Sequence, residues 1–511
     1  MGVSAVADDA VLGVDIGTST SKGVLVAADG ELIATAVRHH AVERPRPGHV
    51  EMDAEIWWSE LAGISRELLD GRELRVGAVG VSGMGPCVLL TDGAGVALRS
   101  AILYGVDTRS ERQIEALTTR YTEAGIVERC GSKLSTQAVG PKLAWVADNE
   151  PDIFEEARLL FTSSSWLVYR LTGEYVLDHH SASQSTPLYD IRAGAWYEPW
   201  WRDLAAGIQM PTLFWSGDIV GSVTAAAALE TGLAEGTPVI AGTIDAWAEA
   251  VSVDAHSPGD LMLMYGSTMF LVHTTEAMLT SPTLWTTVGV SRGSWNLAGG
   301  MATSGAVTTW LKGLFGGPDY SELAEEAAAS GPGARGLLML PYFSGERTPI
   351  ADPRARGIIA GLTLSHTRGD IYRAALESIA MGVRHNIEAL QEAGAQIERV
   401  VAVGGGTKGR LWTQIVSDVS GLAQGVPTHT IGASLGAAYL AARAVGDASI
   451  SAWNPIEAAV EPNAERRICY EELYRLYRDL YPATKQVTHA LSARQLEPRP
   501  LIVTSTEEKA R

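Results

Sequence analysis

The sequence predicts an α/β protein of two similarly built domains that face each other across a central cleft. Three observations lead there. The chain has 511 residues, more than one hydrophobic core ordinarily serves, so at least two domains are expected. Apolar runs of strand length alternate with segments of helical periodicity along most of it. One pattern, two apolar runs flanking a turn of glycine and hydroxyl residues, occurs twice, as VLGVDIGTSTSKGVLV at 11–26 and GDLMLMYGSTMFLVHT at 259–274. Each copy heads about half the chain, which is the signature of a duplicated domain.

The first turn carries Asp15, Gly17, Thr18, Ser19 and Lys22. A glycine lets successive amide N–H groups converge on one concavity, and small hydroxyls add donors without blocking the approach, so the turn can hold a phosphate. Asp15, ending the first strand, stands where a carboxylate holds Mg²⁺ through its waters, and Lys22 adds positive charge. Taken alone, the stretch is equally an ordinary hairpin capped by an aspartate.

A third strand (GELIATAVRHH) and a Pro-rich loop lead to Asp53, and the apolar spacing predicts a helix over 54–69 with Trp57 and Trp58 in the core. Strands follow in RVGAVGVSGMG and CVLLTDG. The strand-like SAILYGVD ends in Asp107, with Arg109 two residues on. That spacing points both side chains to one side, where they could grip hydroxyls, and the plainer alternative is a surface ion pair opening the helix SERQIEALTTRY. GPKLAWVADNEPDIFEEA reads as helix, Pro-marked break and helix. Trp196, Trp200 and Trp201 are read as core or helix-docking residues rather than a sugar-stacking platform. A buried-type strand then runs through a Gly242-Thr243 turn into a small-residue helix opened by Asp245. At a helix N-terminus the dipole and free amides keep a carboxylate ionised, and a simple N-cap has the same appearance.

The second turn, Gly266-Ser267-Thr268, comes next. Two such turns facing one cleft make a phosphate clamp. SWNLAGGMATSGAVTTWLKGLF gives a strand and a Gly-rich entry into a helix holding Gly305 and Thr309, and a long helix ends at VRHNIEAL. The run Gly404, Gly405 and Gly406 follows the strand RVVAV, precedes a helix, and with Gly409 fits G-x-G-x-x-G. A dinucleotide fingerprint normally opens its domain and has an acidic residue about 20 residues on. This run lies late in the chain with VPTHT in that region, so backbone approaching an adenosine fits better. GASLGAAYLAARAV is a last small-residue helix, and the polar tail from about Leu496 is expected to fray. The expected division is 1–248, 249–495 and a tail of 496–511.

Hydrophobic residues make up 46% and charged ones 19%, with a net charge of -19. A chain so acidic and without a basic stripe is not built for nucleic acid. Cys87, Cys130 and Cys469 follow no metal or disulfide spacing and read as thiols of a reducing compartment. MGVSAVADDA has no signal-peptide pattern and no run reaches membrane-spanning length, so no membrane partner and a cytoplasmic location are expected.

Taken together, GVDIGTST, PKLAW at 141–145, the Asp245 segment, YGST, PYFSGERTPIADPRARG, GIIAGLTLSHTRGDIYRAALE at 357–377 and GGGTKGRLWTQIVSD resemble the FGGY carbohydrate kinases. That family sits in the actin, hexokinase and Hsp70-like superfamily, whose domains have a ribonuclease H-like fold. The resemblance spans nearly the whole chain. It implies an ATP- and Mg²⁺-dependent kinase with Asp245 as catalytic base and a small sugar or polyol as partner. Asp15, Gly17, Thr18, Ser19 and Lys22 match its first phosphate motif, and Gly266, Ser267 and Thr268 its second. Gly305 and Thr309 match a segment near the nucleotide, Gly405 and Gly406 the adenosine motif, and Asp107 an acid that contacts the sugar. Family habit implies a homodimer.

Within the family, xylulokinases look most similar. Where they show a Met-His pair contacting the ketose, this chain has Met84-Gly85 followed by Pro86. The segment YGVDTR also departs from their Trp-Asn-Asp run. A missing ring opens space for another stereochemistry, a polyol or a larger sugar. The resemblance thus implies a kinase of a ketopentose such as xylulose or a related sugar; the alternatives are a kinase of erythritol, ribitol or glycerol, or a non-catalytic sensor of sugar or nucleotide.

Overall fold

The structure is a computed structural model and describes residues 10–496. The N-terminal decapeptide, save Ala10, and the expected tail beyond Leu496 lie outside it.

Strands β1 (Ala10–Ile16) and β2 (Thr20–Ala27) form the first hairpin, with Asp15 opposite Lys22. β3 (Leu32–His39) pairs with β2. Helix α1 (Ala54–Leu69) starts where expected, because Asp53 accepts the Glu55 N–H at 3.0 Å and caps it. Its apolar face sinks Trp57 and Trp58 into the core. β4 (Val76–Gly83) lies parallel to β1 and sets Ser82 beside Asp15. β5 (Ile219–Ser222) and β6 (Pro238–Ile240) complete the order β5-β6-β4-β1-β2-β3, with Thr243–Ile244 pairing to the end of β4. Helix α2 (Asp245–Ser252) leaves from there.

The second sheet repeats this plan. It comprises β7 (Asp260–Tyr265), β8 (Met269–Thr275), β9 (Trp285–Val288), β10 (Trp295–Met301), β11 (Arg399–Val403), β12 (Gln424–Pro427) and β13 (Ile456–Val460). The order is β9-β10-β8-β7-β11-β12-β13. Setting aside β9, each sheet runs as three antiparallel strands, two parallel steps and an antiparallel edge, and β7–β8 occupies the place of β1–β2. Helices α3 (Gly305–Leu314), α4 (Arg368–Glu392), α5 (Arg410–Ser420), α6 (Ala433–Val445) and α7 (Arg467–Leu496) belong to the second half. α7, which the sequence reading did not single out, buries Tyr470, Tyr474 and Tyr477 against α4 and its neighbours.

Each sheet has its own core, and a third core joins them, drawing Val11, Ile244 and Trp247 from one half and Met262, Val401 and Leu435 from the other. Glycines make that joint possible. A Cβ on Gly436 would stand 1.8 Å from the Ala248 carbonyl oxygen, and one on Gly13 2.0 Å from that of Ser434, so α6 lies backbone to backbone against α2 and β1. The expected division at 248 falls inside α2.

One local expectation changes. SAILYGVD yields only two strand residues, Ala101–Ile102, and Asp107 sits in the loop beyond. Among the described residues no helix is long and apolar enough to cross a membrane.

Candidate active site

Two cavities open on either side of the second turn. The first, of about 200 Å³, is lined from one half by Gly85, Tyr104, Gln137 and Asp245, and from the other by Thr268 and Arg347. The second, of about 840 Å³, takes in Gly266, Ser267, Gly305, Thr309, Gly405 and Gly406. Thr268 therefore faces one cavity while its two neighbours face the other.

The β-strand register brings the acids together. Asp15 is the penultimate residue of β1, Ser82 lies beside it on β4, and Thr243 lies beside Ser82, two residues before Asp245. Ser82 Oγ donates to Asp15 at 2.9 Å. Asp245 is the first residue of α2 rather than its cap, a position held by Ile244, and its carboxylate accepts the Ala246 N–H at 2.7 Å. One turn further along α2 stands Glu249. Burial raises the pKa of all three carboxyls, and the charge of Asp245 adds to it at the other two: Asp15 is raised further by it, and Glu249, pushed up to about 7, is raised by it against the pull of Lys22. Three half-buried acids share one lysine, which leaves the cluster short of positive charge.

That shortfall fits a divalent cation. Among the described residues no three His, Cys, Asp or Glu side chains are arranged to ligate a metal directly. The chemistry of the set, a recessed carboxylate beside turns of glycine and hydroxyl residues, suits Mg²⁺ held through water, since that ion usually keeps several of its waters.

The first turn is close by. Thr18 Oγ1 lies 2.8 Å from the Tyr104 hydroxyl on the cavity wall. Gly17 N–H donates to the Thr20 carbonyl at 3.0 Å, closing the turn. In the second turn Gly266 N–H donates to Thr268 at 3.1 Å, and the backbone entering α3 folds down onto it. Gly305 is needed there, since a Cβ would stand 2.6 Å from the Gly266 carbonyl oxygen. Gly404 has φ +91° and touches Tyr265, which turns β11 outward so that Gly405 and Gly406 reach the larger cavity.

Asp107 and Met84 stand elsewhere. Asp107 is wholly buried and accepts the Val50 N–H at 2.6 Å and the Arg109 guanidinium at 2.7 Å. Arg109 turns on to Glu51 at 2.6 Å and lies over the Trp145 ring. The pair is thus an interior brace and not a surface ion pair, and neither residue lines the smaller cavity. Met84 packs in the core, and only its neighbour Gly85 reaches the cavity. The two loops are tied by Gln137, which donates to the Gly85 carbonyl at 3.0 Å and accepts the Gly105 N–H at 2.9 Å. Tyr104, Gln137 and Arg347 were not singled out in the sequence, although Tyr104 and Arg347 lie in the stretches YGVDTR and PYFSGERTPIADPRARG, because their place on the cavity comes from bringing distant segments together.

Two duplicated α/β domains with hydroxyl turns directed at a shared cleft define the actin- and hexokinase-like class. Residues 10–252 match the N-terminal domain of the FGGY family of carbohydrate kinases, and 261–445 match its C-terminal domain. The chain belongs to that family. It is 30% identical over 485 residues to a xylulose kinase of Escherichia coli, covering 92% of this chain and 99% of the relative. It is 33% identical over 460 residues to a glycerol kinase of Alkalilimnicola ehrlichii, covering 86% and 90%. The crystal structure of xylulose kinase from Rhodospirillum rubrum superposes with a TM-score of 0.88 at 30% identity, covering 94% of this chain and 100% of that one.

Proposed function

We propose that this protein transfers the γ-phosphoryl group of ATP to a hydroxyl of a ketopentose such as xylulose, or of a closely related sugar, with Mg²⁺ as cofactor. The observation that carries this reading is the place of Asp245, in the wall of a cavity that both halves close and that the second turn separates from the larger, glycine-lined one. Relatives named for xylulose span the chain nearly end to end.

A sugar hydroxyl is a weak nucleophile and needs a base within hydrogen-bond reach as it attacks. Asp245 accepts that proton. Charge on the moving phosphoryl group is met by the free amides of the two turns and by Lys22, leaving little covalent work to the protein. Mg²⁺, held through water at Asp15, would neutralise phosphate charge. The adenosine lies along Gly405 and Gly406. On the sugar side Gln137 and Arg347 offer donors to hydroxyls, a part Asp107 is too deeply committed to play, while the Tyr104 hydroxyl is engaged with Thr18.

A polyol kinase is the second reading. A Cβ at Gly85 would come within 3.0 Å of Ile244 and 3.1 Å of Thr162, so the wall there stays bare of any side chain. A coupled assay of ADP formation over ketoses, polyols and aldonates tests both. Ketose-dependent ADP release is expected; release with polyols alone favours the second reading, and none with any acceptor overturns both.

A further inference from the structure

The first turn is held from behind by a side chain. His40 follows directly on β3, and its Nε2 lies 3.0 Å from the Gly17 carbonyl oxygen while its Nδ1 lies 2.9 Å from Glu60 Oε2 on α1. A carbonyl oxygen can only accept, so Nε2 carries the hydrogen that joins them. The same Glu60 oxygen accepts from Ser21 Oγ at 2.5 Å, and the backbone N–H of His40 donates to Ser19 at 3.1 Å. The His40 and Glu60 side chains are 5% and 13% exposed, and Ser21 is fully buried. The grouping is no nucleophilic triad, because Ser21 bonds the carboxylate instead of the imidazole and lines neither of the two cavities described above.

What the brace does follows from the planarity of the peptide. In a trans peptide the C=O of Gly17 and the N–H of Thr18 point in opposite directions. Pinning the carbonyl to His40 on the α1 side therefore fixes the Thr18 N–H on the other, where the Thr18 hydroxyl meets Tyr104 at the cavity wall. Among the described residues the Thr18 and Ser19 amides have no protein acceptor. The second turn follows the same logic with main chain alone. The Ser267 carbonyl accepts from Ser304 at 2.9 Å and Ala306 at 3.1 Å, and the Gly266 carbonyl from Gly305 at 3.0 Å. Both turns have their carbonyls drawn back so that their amides face forward, but only the first depends on a replaceable side chain.

We infer that His40, oriented by Glu60, is a positioning residue that presents the amides of the first turn to the phosphates of the nucleotide. The inference rests on the kinase reading above for what those amides bind. It is tested with His40→Ala and His40→Gln, measuring calorimetric affinity for a non-hydrolysable ATP analogue and for adenosine, and steady-state kinetics with the best acceptor.

His40→Ala is expected to lower analogue affinity and kcat/KM for ATP about tenfold, the weight of one hydrogen bond at a charged site. Adenosine affinity and the KM for sugar are expected to stay as in the wild type. His40→Gln keeps an N–H donor and is expected to recover most of the loss. Unchanged analogue affinity in His40→Ala overturns the inference, and so does an equal fall for analogue and adenosine, which marks general loosening. Should His40→Ala fail to fold, His40→Gln beside His40→Leu makes the same comparison. A wild-type chain that turns over no acceptor removes the kinase reading, while the comparison of analogue with adenosine still decides the role of His40; binding of neither removes both.

Discussion

The hydroxyls of Tyr104 and Thr18 lie 2.8 Å apart and join the wall of the sugar-side cavity to the tip of the first turn. Tyr104 is contributed by a loop and Thr18 by a hairpin 86 residues earlier, so the contact exists only in the folded chain. Tyr104→Phe keeps the ring and removes the link. A single neutral hydrogen bond is worth about 1 kcal/mol, so a fall in kcat of roughly fivefold is expected, with the KM for sugar nearly unchanged. Steady-state kinetics checks this; a rise in KM with kcat intact would place Tyr104 on the sugar instead.

The joint between the halves leads to a second expectation. Gly80 lies beneath α6, where a Cβ would stand 2.0 Å from the Ala437 carbonyl oxygen. Backbone cannot yield as a flexible side chain does, so Gly80→Ala is expected to destabilise by about 3 kcal/mol or more. Gly313, with nothing within 4 Å of an added Cβ, is the control. Gly313→Ala lies inside a helix and is expected to stabilise by about 0.5–1 kcal/mol. Urea unfolding of both variants measures the contrast.

How far the sequence reaches is clear from these residues. The hairpins were legible because strand, glycine turn and strand are neighbours in the chain, and the pairing of Asp15 with Lys22 follows from the turn itself. Helix α1 was legible from its apolar spacing. Asp107 misled, because the two-residue period of a strand was applied where the chain is loop, and its partner Val50, like Glu51 which binds Arg109, lies across a long gap in sequence. His40, Glu60 and Gln137 were silent for the same reason: a histidine after a strand has no periodicity to give it away, and Arg347 lies in the PYFSGERTPIADPRARG stretch without a pattern that marks its role.

Lys142 offers a test of charge burial. It is wholly buried, with Nζ donating to the Thr136 carbonyl at 2.7 Å, and burial pulls its pKa down to about 8 from 10.5. Between those values the unfolded chain holds the proton that the folded one has lost, so stability rises with pH there, and the full penalty is felt below about 8. Lys142→Met is expected to gain about 2 kcal/mol at pH 7, the pKa shift less one lost hydrogen bond. The gain should shrink steadily as the pH rises from 8 toward 10.5. Parallel denaturation of both proteins over that range decides it; a constant difference rules the charge out as the cause.

The last expectation separates catalysis from structure at Asp245. As the general base it works only when ionised, and burial holds its carboxyl above the ordinary carboxylate range. Activity should therefore fall with falling pH through a group titrating well above 4, the value of a free aspartate. Asp245→Asn keeps size and shape and is expected to lower kcat about a thousandfold with analogue affinity retained. Stability should move the other way. A carboxyl whose folded pKa is raised binds more protons when folded than when unfolded, so its ionisation costs stability as the pH climbs past the free value. At neutral pH the wild type bears that cost and Asp245→Asn does not, so the variant should unfold at a higher temperature while turning over almost nothing. Loss of activity together with loss of stability would mean that Asp245 shapes the start of α2 and leaves the proton to another group.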